Sequence, residues 1–320
     1  MKKLLYLVLI VASVLSVESC KKRKAFKNED GQASEDNRNV QQQTDNAVTD
    51  GDEVIRSISA LNGKVIGNQN NQVFSAQCGF SIDTTGQYTG SVRLNFDGTT
   101  VCSNRKRSGS IKLTILNYAQ GVRWKDSAAV LQVDYTDYKV TRASDNKSIK
   151  FNGTQYVTNV LGGDLGQLIL FGTTVIRTIT GNNLQVTFDD GSVASWNINR
   201  KYTYTRTMNG STYVFTWTGE GLGSANGETN LENWGTTRDG DAFTSKVETP
   251  VVCNTTCGLW NAVQGKMNIK VAAKEFALVV TMGIDQAGNP ITPSTNACPW
   301  GWKVEWTYKN KTNDKKFQYW

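Results

Sequence analysis

Histidine is missing altogether from the 320 residues. Its absence excludes Ser-His and Cys-His nucleophile pairs, His-ligated zinc and His-bound haem. Proline is scarce, at four, while glycine reaches 29. The chain therefore has many places for tight turns and few stiff linkers. Long apolar runs are lacking too. The longest, Leu4 to Val17, would rise about 21 Å as a helix, short of the roughly 30 Å of hydrocarbon in a bilayer. Acidic side chains are in deficit, 28 Asp and Glu against 35 Lys and Arg, for a formal charge of +7. That basic excess falls on the part of the chain after residue 53, because the first 53 residues are close to neutral.

What is present at the N-terminus has the order of an export signal. Lys2 and Lys3 precede the apolar run, and Ser19, a small residue, precedes Cys20. Val17-Glu18-Ser19-Cys20 resembles a bacterial lipobox, with a branched apolar residue at −3 and a small one at −1; Glu18 departs from the usual −2 residue. The resemblance implies a signal peptide over 1–19, cleavage before Cys20, and diacylglycerol plus a fatty acyl chain such as palmitate on that cysteine. More than one acyl chain is what stable anchoring requires. Lys21 is not the Asp that retains such proteins in the inner membrane, so the expected address is the outer membrane. Residues 20–53 are rich in Gln, Asn, Asp and Lys and almost without apolar side chains. Too little surface can be buried there to offset the ordering entropy, and a flexible tether is expected.

From residue 54 to 320 the dominant pattern is two-residue alternation bounded by Gly, Asn and Asp, which predicts an all-β fold of antiparallel sheets. Val92, Leu94 and Phe96 alternate with Arg93 and Asn95; Ile111, Leu113 and Ile115 alternate with Lys112 and Thr114. Asn152-Gly153, Asp190-Gly191 and Asn209-Gly210 accept the positive φ of type I′ turns. Leu184–Asp189 should thus fold back onto Ser192–Arg200, and Tyr202–Thr207 onto Ser211–Thr218. The body is expected as one large sandwich or two linked β units, with Gly219–Gly227 the softest boundary.

With Cys20 acylated, five cysteines remain: Cys78, Cys102, Cys253, Cys257 and Cys298. The odd number leaves one free or paired between chains. Cys78 with Cys102 is the natural first bridge; Cys298 with Cys257 or Cys253, and Cys253 with Cys257, all stay open. A metal site on Cys253 and Cys257 lacks a second pair of ligands.

Cys102–Ile115 (CSNRKRSGSIKLTI), following Asn95-Phe96-Asp97-Gly98, resembles a pattern in β-rich lipoproteins of Bacteroidetes-type bacteria. The later Cys257-Gly258-Leu259-Trp260 with Gly265, and Cys298-Pro299-Trp300, are similar to their closing elements. The resemblance implies a β-rich envelope lipoprotein, with Cys257 and Cys298 in its late cysteine elements, and carries no activity with it.

Chemistry is sparse. Trp300, Trp302 and Trp306 share one face of a strand with Val304 and Tyr308, either as a platform for sugar rings or as the strand's core face. Arg105, Lys106 and Arg107 form the densest basic cluster, suited to acidic glycans or lipid headgroups or to a solvated hairpin tip. Ser144-Asp145-Asn146-Lys147 fits Ser-x-x-Lys but lacks a helix start and a later Lys-Thr-Gly. Hydrolysis by paired carboxylates survives the lack of histidine, with Asp134, Asp137, Glu220, Glu228, Glu232, Asp239 and Asp241 as candidates that no spacing singles out. The expected function is therefore a non-enzymatic binding or envelope-structural module, with a carboxylate-dependent polysaccharide hydrolase as the alternative. No cofactor, metal or nucleic acid is expected. The expected partners are the membrane, through the lipid, and a glycan or envelope protein.

Overall fold

The structure, a computed structural model, describes residues 28–63, 78–258, 261–273, 277–291, 298–308 and 311–319. The expected signal peptide, residues 1–19, and Cys20 lie outside the described residues. Two compact units divide the chain, Met1–Gln32 and Ala33–Trp320. In the first, residues 28–32 are helical; the second holds the remaining described residues.

The alternating sequence forms antiparallel β-sheet, as expected. Fifteen strands occur among the described residues: β1 (Phe80–Asp83), β2 (Ser91–Asp97), β3 (Arg105–Ile115), β4 (Ala129–Arg142), β5 (Ser148–Asn159), β6 (Val175–Phe188), β7 (Val193–Asn209), β8 (Thr212–Gly221), β9 (Gly223–Ala225), β10 (Glu228–Thr236), β11 (Ala242–Asn254), β12 (Ala262–Val271), β13 (Ala277–Ile284), β14 (Gly301–Tyr308) and β15 (Lys311–Gln318). They make one meander in which nearly every strand pairs with its sequence neighbours. The exception lies between β7 and β11, two long strands that flank two hairpin elements. β10 pairs with the first part of each, and β8 with the last part of each. Gly219–Gly227 is thus no domain boundary: its glycines lie in β8 and β9 or the turn after them. A Cβ at Gly221 would stand 2.2 Å from the Asn230 carbonyl oxygen, so close backbone approach explains the glycine there.

A sheet of this many strands rarely stays flat and open, and this one carries local devices for bending. Breaks in register run side by side across β3, β4, β5 and β6. At them sit Gly109, Asp137, Gly153 and Asn183, all with positive φ. These are β-bulges, which bend a strand and increase its twist. Side chains tie one bulge to the next strand: the Asp137 amide donates to Asn152 Oδ1 (2.7 Å) and the Asn183 amide to Asn197 Oδ1 (3.0 Å). Asn152-Gly153 is accordingly a bulge inside β5 rather than a hairpin turn, because a bulge demands the same positive φ. Asp190-Gly191 and Asn209-Gly210 do connect β6 to β7 and β7 to β8, with the expected pairings.

Helix α1 (Asn28–Ser57) is followed by the single turn α2 (Ser59–Asn62), and a second short helix, α3 (Leu165–Phe171), joins β5 to β6; the part of α1 from residue 33 on packs against the core face of the sheet. Residues 33–53 are therefore no flexible tether. Ala33, Val40, Ala47 and Val54 recur every seventh residue, and Asn37, Thr44 and Gly51 fall four residues after the first three, the spacing that keeps one helix face in register with a partner. Val40, Ala47, Val54 and Ile55 are 0–1% exposed and belong to the same core as Leu113, Leu131, Phe151 and Trp196. Burying each of the larger three stabilises by about 1.5–3 kcal/mol. At Gly51 a Cβ would meet the Leu113 methyls at 3.1–3.2 Å. The polar positions are buried as well, and hydrogen bonds to the sheet replace those to water. Asp52 accepts from the Trp124 indole (2.6 Å) and pairs with Arg177 (3.3 Å); Asp36 takes both arms of Arg238 at 2.8 Å.

Two disulfides join Cys78 to Cys102 and Cys257 to Cys298, leaving Cys253 free and buried.

Candidate functional site

A cavity of about 120 Å³ separates the first turns of α1 within this unit from β8 and β11–β14. Strand alternation supplies its apolar wall, with Val251, Met267, Ile269, Val280 and Trp302 all pointing inward. The helix supplies a polar wall: Ser34, Asn37, Arg38, Gln41, Gln42 and Asp45, at the i, i+3, i+4, i+7 spacing that shares a face. Arg38, Gln41, Gln42, Trp217, Met282 and Tyr319 are the half-buried residues of the lining together with Asp45.

Behind the polar wall lies a buried network. Arg200 Nη2 donates to Asp45 Oδ1 (2.7 Å) and Thr44 Oγ1 (2.9 Å), and the Tyr202 hydroxyl donates to Asp45 Oδ2 (2.7 Å). Gln41 Nε2 donates to Tyr202 Oη and to Glu232 Oε2, both at 3.2 Å. Glu232 Oε1 accepts from Ser245 Oγ (3.1 Å) and Asn37 Nδ2 (3.3 Å), and Asn233 Nδ2 donates to Asn37 Oδ1 (3.1 Å). Burial works against the charge on Arg200, yet Asp45 and Tyr202 outweigh it and push its pKa up. Burial pushes the Glu232 carboxyl up, with Arg200 pulling the other way. Both carboxylates have their oxygens engaged by protein donors. The network holds helix to sheet and fixes the shape of the cavity.

Arg38 stands apart. Its guanidinium lies over the Trp302 ring, 5.3 Å from the centroid, and among the described residues it meets no carboxylate at ion-pair distance. Its Nε and the Trp302 indole nitrogen are both buried without a hydrogen-bond partner. Burial lowers the Arg38 pKa; Glu35 and then Tyr319 oppose this, whereas the guanidinium groups of Arg142 and Arg105 add to it more weakly. Trp302 also stacks on Phe317, with centroids 4.1 Å apart and planes at 11°.

The residues singled out from sequence divide accordingly. Trp302 and Trp306 are buried (6% and 7%) on the inner face of β14, and Trp300 is half-buried just before the strand. They form no exposed sugar platform, because alternation turns the ring-bearing face towards the core; Trp302 alone of the three lines the cavity. Arg105, Lys106 and Arg107 begin β3 instead of tipping a hairpin, and all three are half-buried. Arg107 pairs with Asp50 on α1 and lies over Phe80 and Phe96 at 5.4 and 4.7 Å. The run is consequently split across the strand rather than gathered into a patch. Asp134, Asp137, Glu220 and Glu228 are held by separate partners (Thr154, Lys150, Lys201 and Lys270). Asp239 and Asp241 belong to the turn between β10 and β11. Of the seven carboxylates only Glu232 joins the buried network. Among the described residues no cluster of three metal-ligating side chains occurs, and no helix is long and apolar enough to cross a membrane.

Asn37, Arg38, Gln41 and Asp45 are not recognisable from composition, because their segment is as polar as a tether; the seven-residue recurrence from Ala33 to Val54 is the signal that places them on a helix. The chain matches no protein-family model, no curated protein and no solved structure.

Proposed function

We propose that this protein is an exported, lipid-anchored module of the outer membrane that binds a small ligand without transforming it. The observation that carries the binding part is the cavity between α1 and the sheet, concave, largely apolar and edged by a few polar groups, as small-molecule sites are. Cys20, after its export signal, carries the anchoring part. The buried network behind the cavity supports binding over hydrolysis, since Asp45 and Glu232 are engaged with protein donors.

Two measurements test the two parts. Cells grown with a labelled fatty acid should incorporate label into the wild-type protein, and Cys20→Ser should abolish the label and release the chain from membranes. Unchanged membrane retention of Cys20→Ser contradicts the anchor. For binding, toluene titrated into the folded protein should shift the methyl resonances of Met267, Ile269 and Val280. No shift in any of them contradicts a ligand cavity.

A further inference from the structure

We propose that the ligand is a small organic acid, its carboxylate received by Arg38 and the indole N–H of Trp302 and its ring or branched apolar body held among Met267, Ile269 and Val280. The inference rests on the binding reading and deepens it.

Three observations converge. First, the two unpartnered buried nitrogens at this cavity are both donors, Arg38 Nε and Trp302 Nε1. A buried donor without an acceptor costs about 1–3 kcal/mol, and a carboxylate supplies acceptors for both. Second, Arg38 has no ion-pair partner among the described residues. Glu35 acts on it as the counter-charge from its own helix without reaching ion-pair distance, and Arg142 and Arg105 act as weaker like charges. Asp45, the one acidic side chain lining the cavity, is already paired with Arg200. An arriving carboxylate therefore gives the guanidinium the direct partner it lacks. Third, size and lining limit the body that the carboxylate can carry. An apolar cavity of about 150 Å³ accepts a benzene ring, so about 120 Å³, with the half-buried Arg38 in its wall, suits one ring or a short branched chain with its acid group at Arg38. A phosphate would need more donors than these two, and a sugar would leave its hydroxyls against Val251, Met267, Ile269 and Val280.

The probes are benzoate and its neutral near-isostere benzamide, titrated at neutral pH and followed at the Trp302 indole N–H, assigned by its loss in Trp302→Phe. Benzoate should bind at least tenfold more tightly than benzamide and move that resonance downfield. Arg38→Gln should remove the preference, and an unchanged β-sheet circular-dichroism spectrum shows that the variant is folded. Equal affinities in the wild type, or a preference that persists in Arg38→Gln, overturns the acid inference and leaves a neutral binding cavity standing. If neither probe binds and toluene is also refused, the binding reading falls and takes the inference with it.

Discussion

Asp45 on α1 and Arg200 on β7 meet at 2.7 Å across 155 residues of chain. The Arg200 side chain is 1% exposed and that of Asp45 14%. The Tyr202 hydroxyl occupies the second oxygen of the same carboxylate. This pair fastens a polar helix to the inside of the sheet and stands directly behind the cavity.

Removing one partner should be far worse than removing both. Asp45→Ala leaves a buried guanidinium uncompensated, a loss of about 3–5 kcal/mol, whereas a hydrophobic pair of similar volume often costs little. In urea unfolding, Asp45→Leu with Arg200→Met should therefore retain more stability than the sum of the two single changes allows. Strict additivity, with each single change below about 1 kcal/mol, contradicts the pairing.

The sheet was legible in the sequence because alternation of apolar and polar residues over Val92–Phe96, Ile111–Ile115 and Trp302–Thr307 is the signature of a strand with one face buried. The turns at Asp190-Gly191 and Asn209-Gly210 were legible for the φ they require, but Asn152-Gly153 shows that the same dipeptide serves a bulge, which only the neighbouring strands decide. The helix was not legible from composition. Its buried face carries Asn37, Thr44, Asp45 and Asp52 where a core helix carries leucines, and their partners Asn233, Arg200 and Trp124 lie between 72 and 196 residues away. The cavity inherits that difficulty, since half its wall is the helix.

Alkali should unfold the protein through its tyrosines. Burial raises the pKa of Tyr135, Tyr138 and Tyr202, that of Tyr138 to about 12, with Arg107 next to it pulling the other way. Unfolded tyrosines ionise near 10. The stability these groups contribute is full below about 10 and is lost as pH rises through the folded values, because the unfolded state releases its protons first. Titrated by tyrosinate absorbance, some of the eleven tyrosines should ionise normally and the rest only as the β-sheet signal disappears. A single reversible step for all eleven with the sheet intact contradicts this.

The cysteines make a separate prediction. Cys253 is 1% exposed, and burial raises its thiol pKa, so a thiol reagent should leave it unmodified in the native protein and modify it after denaturation without reductant. Replacing Cys257 and Cys298 together by Ser, across a separation of 41, should cost about 4 kcal/mol on chain-entropy reasoning. Modification of Cys257 or Cys298 in the unreduced, denatured chain contradicts the pairing.

The cavity exists only if α1 is part of the folded core. Amide hydrogen exchange over residues 40–55 of the native protein tests this most directly. The helix amides should exchange as slowly as those of β6 and β7, through global unfolding alone. Exchange of that segment at the rate of an unstructured chain, while β6 and β7 stay protected, would contradict the account.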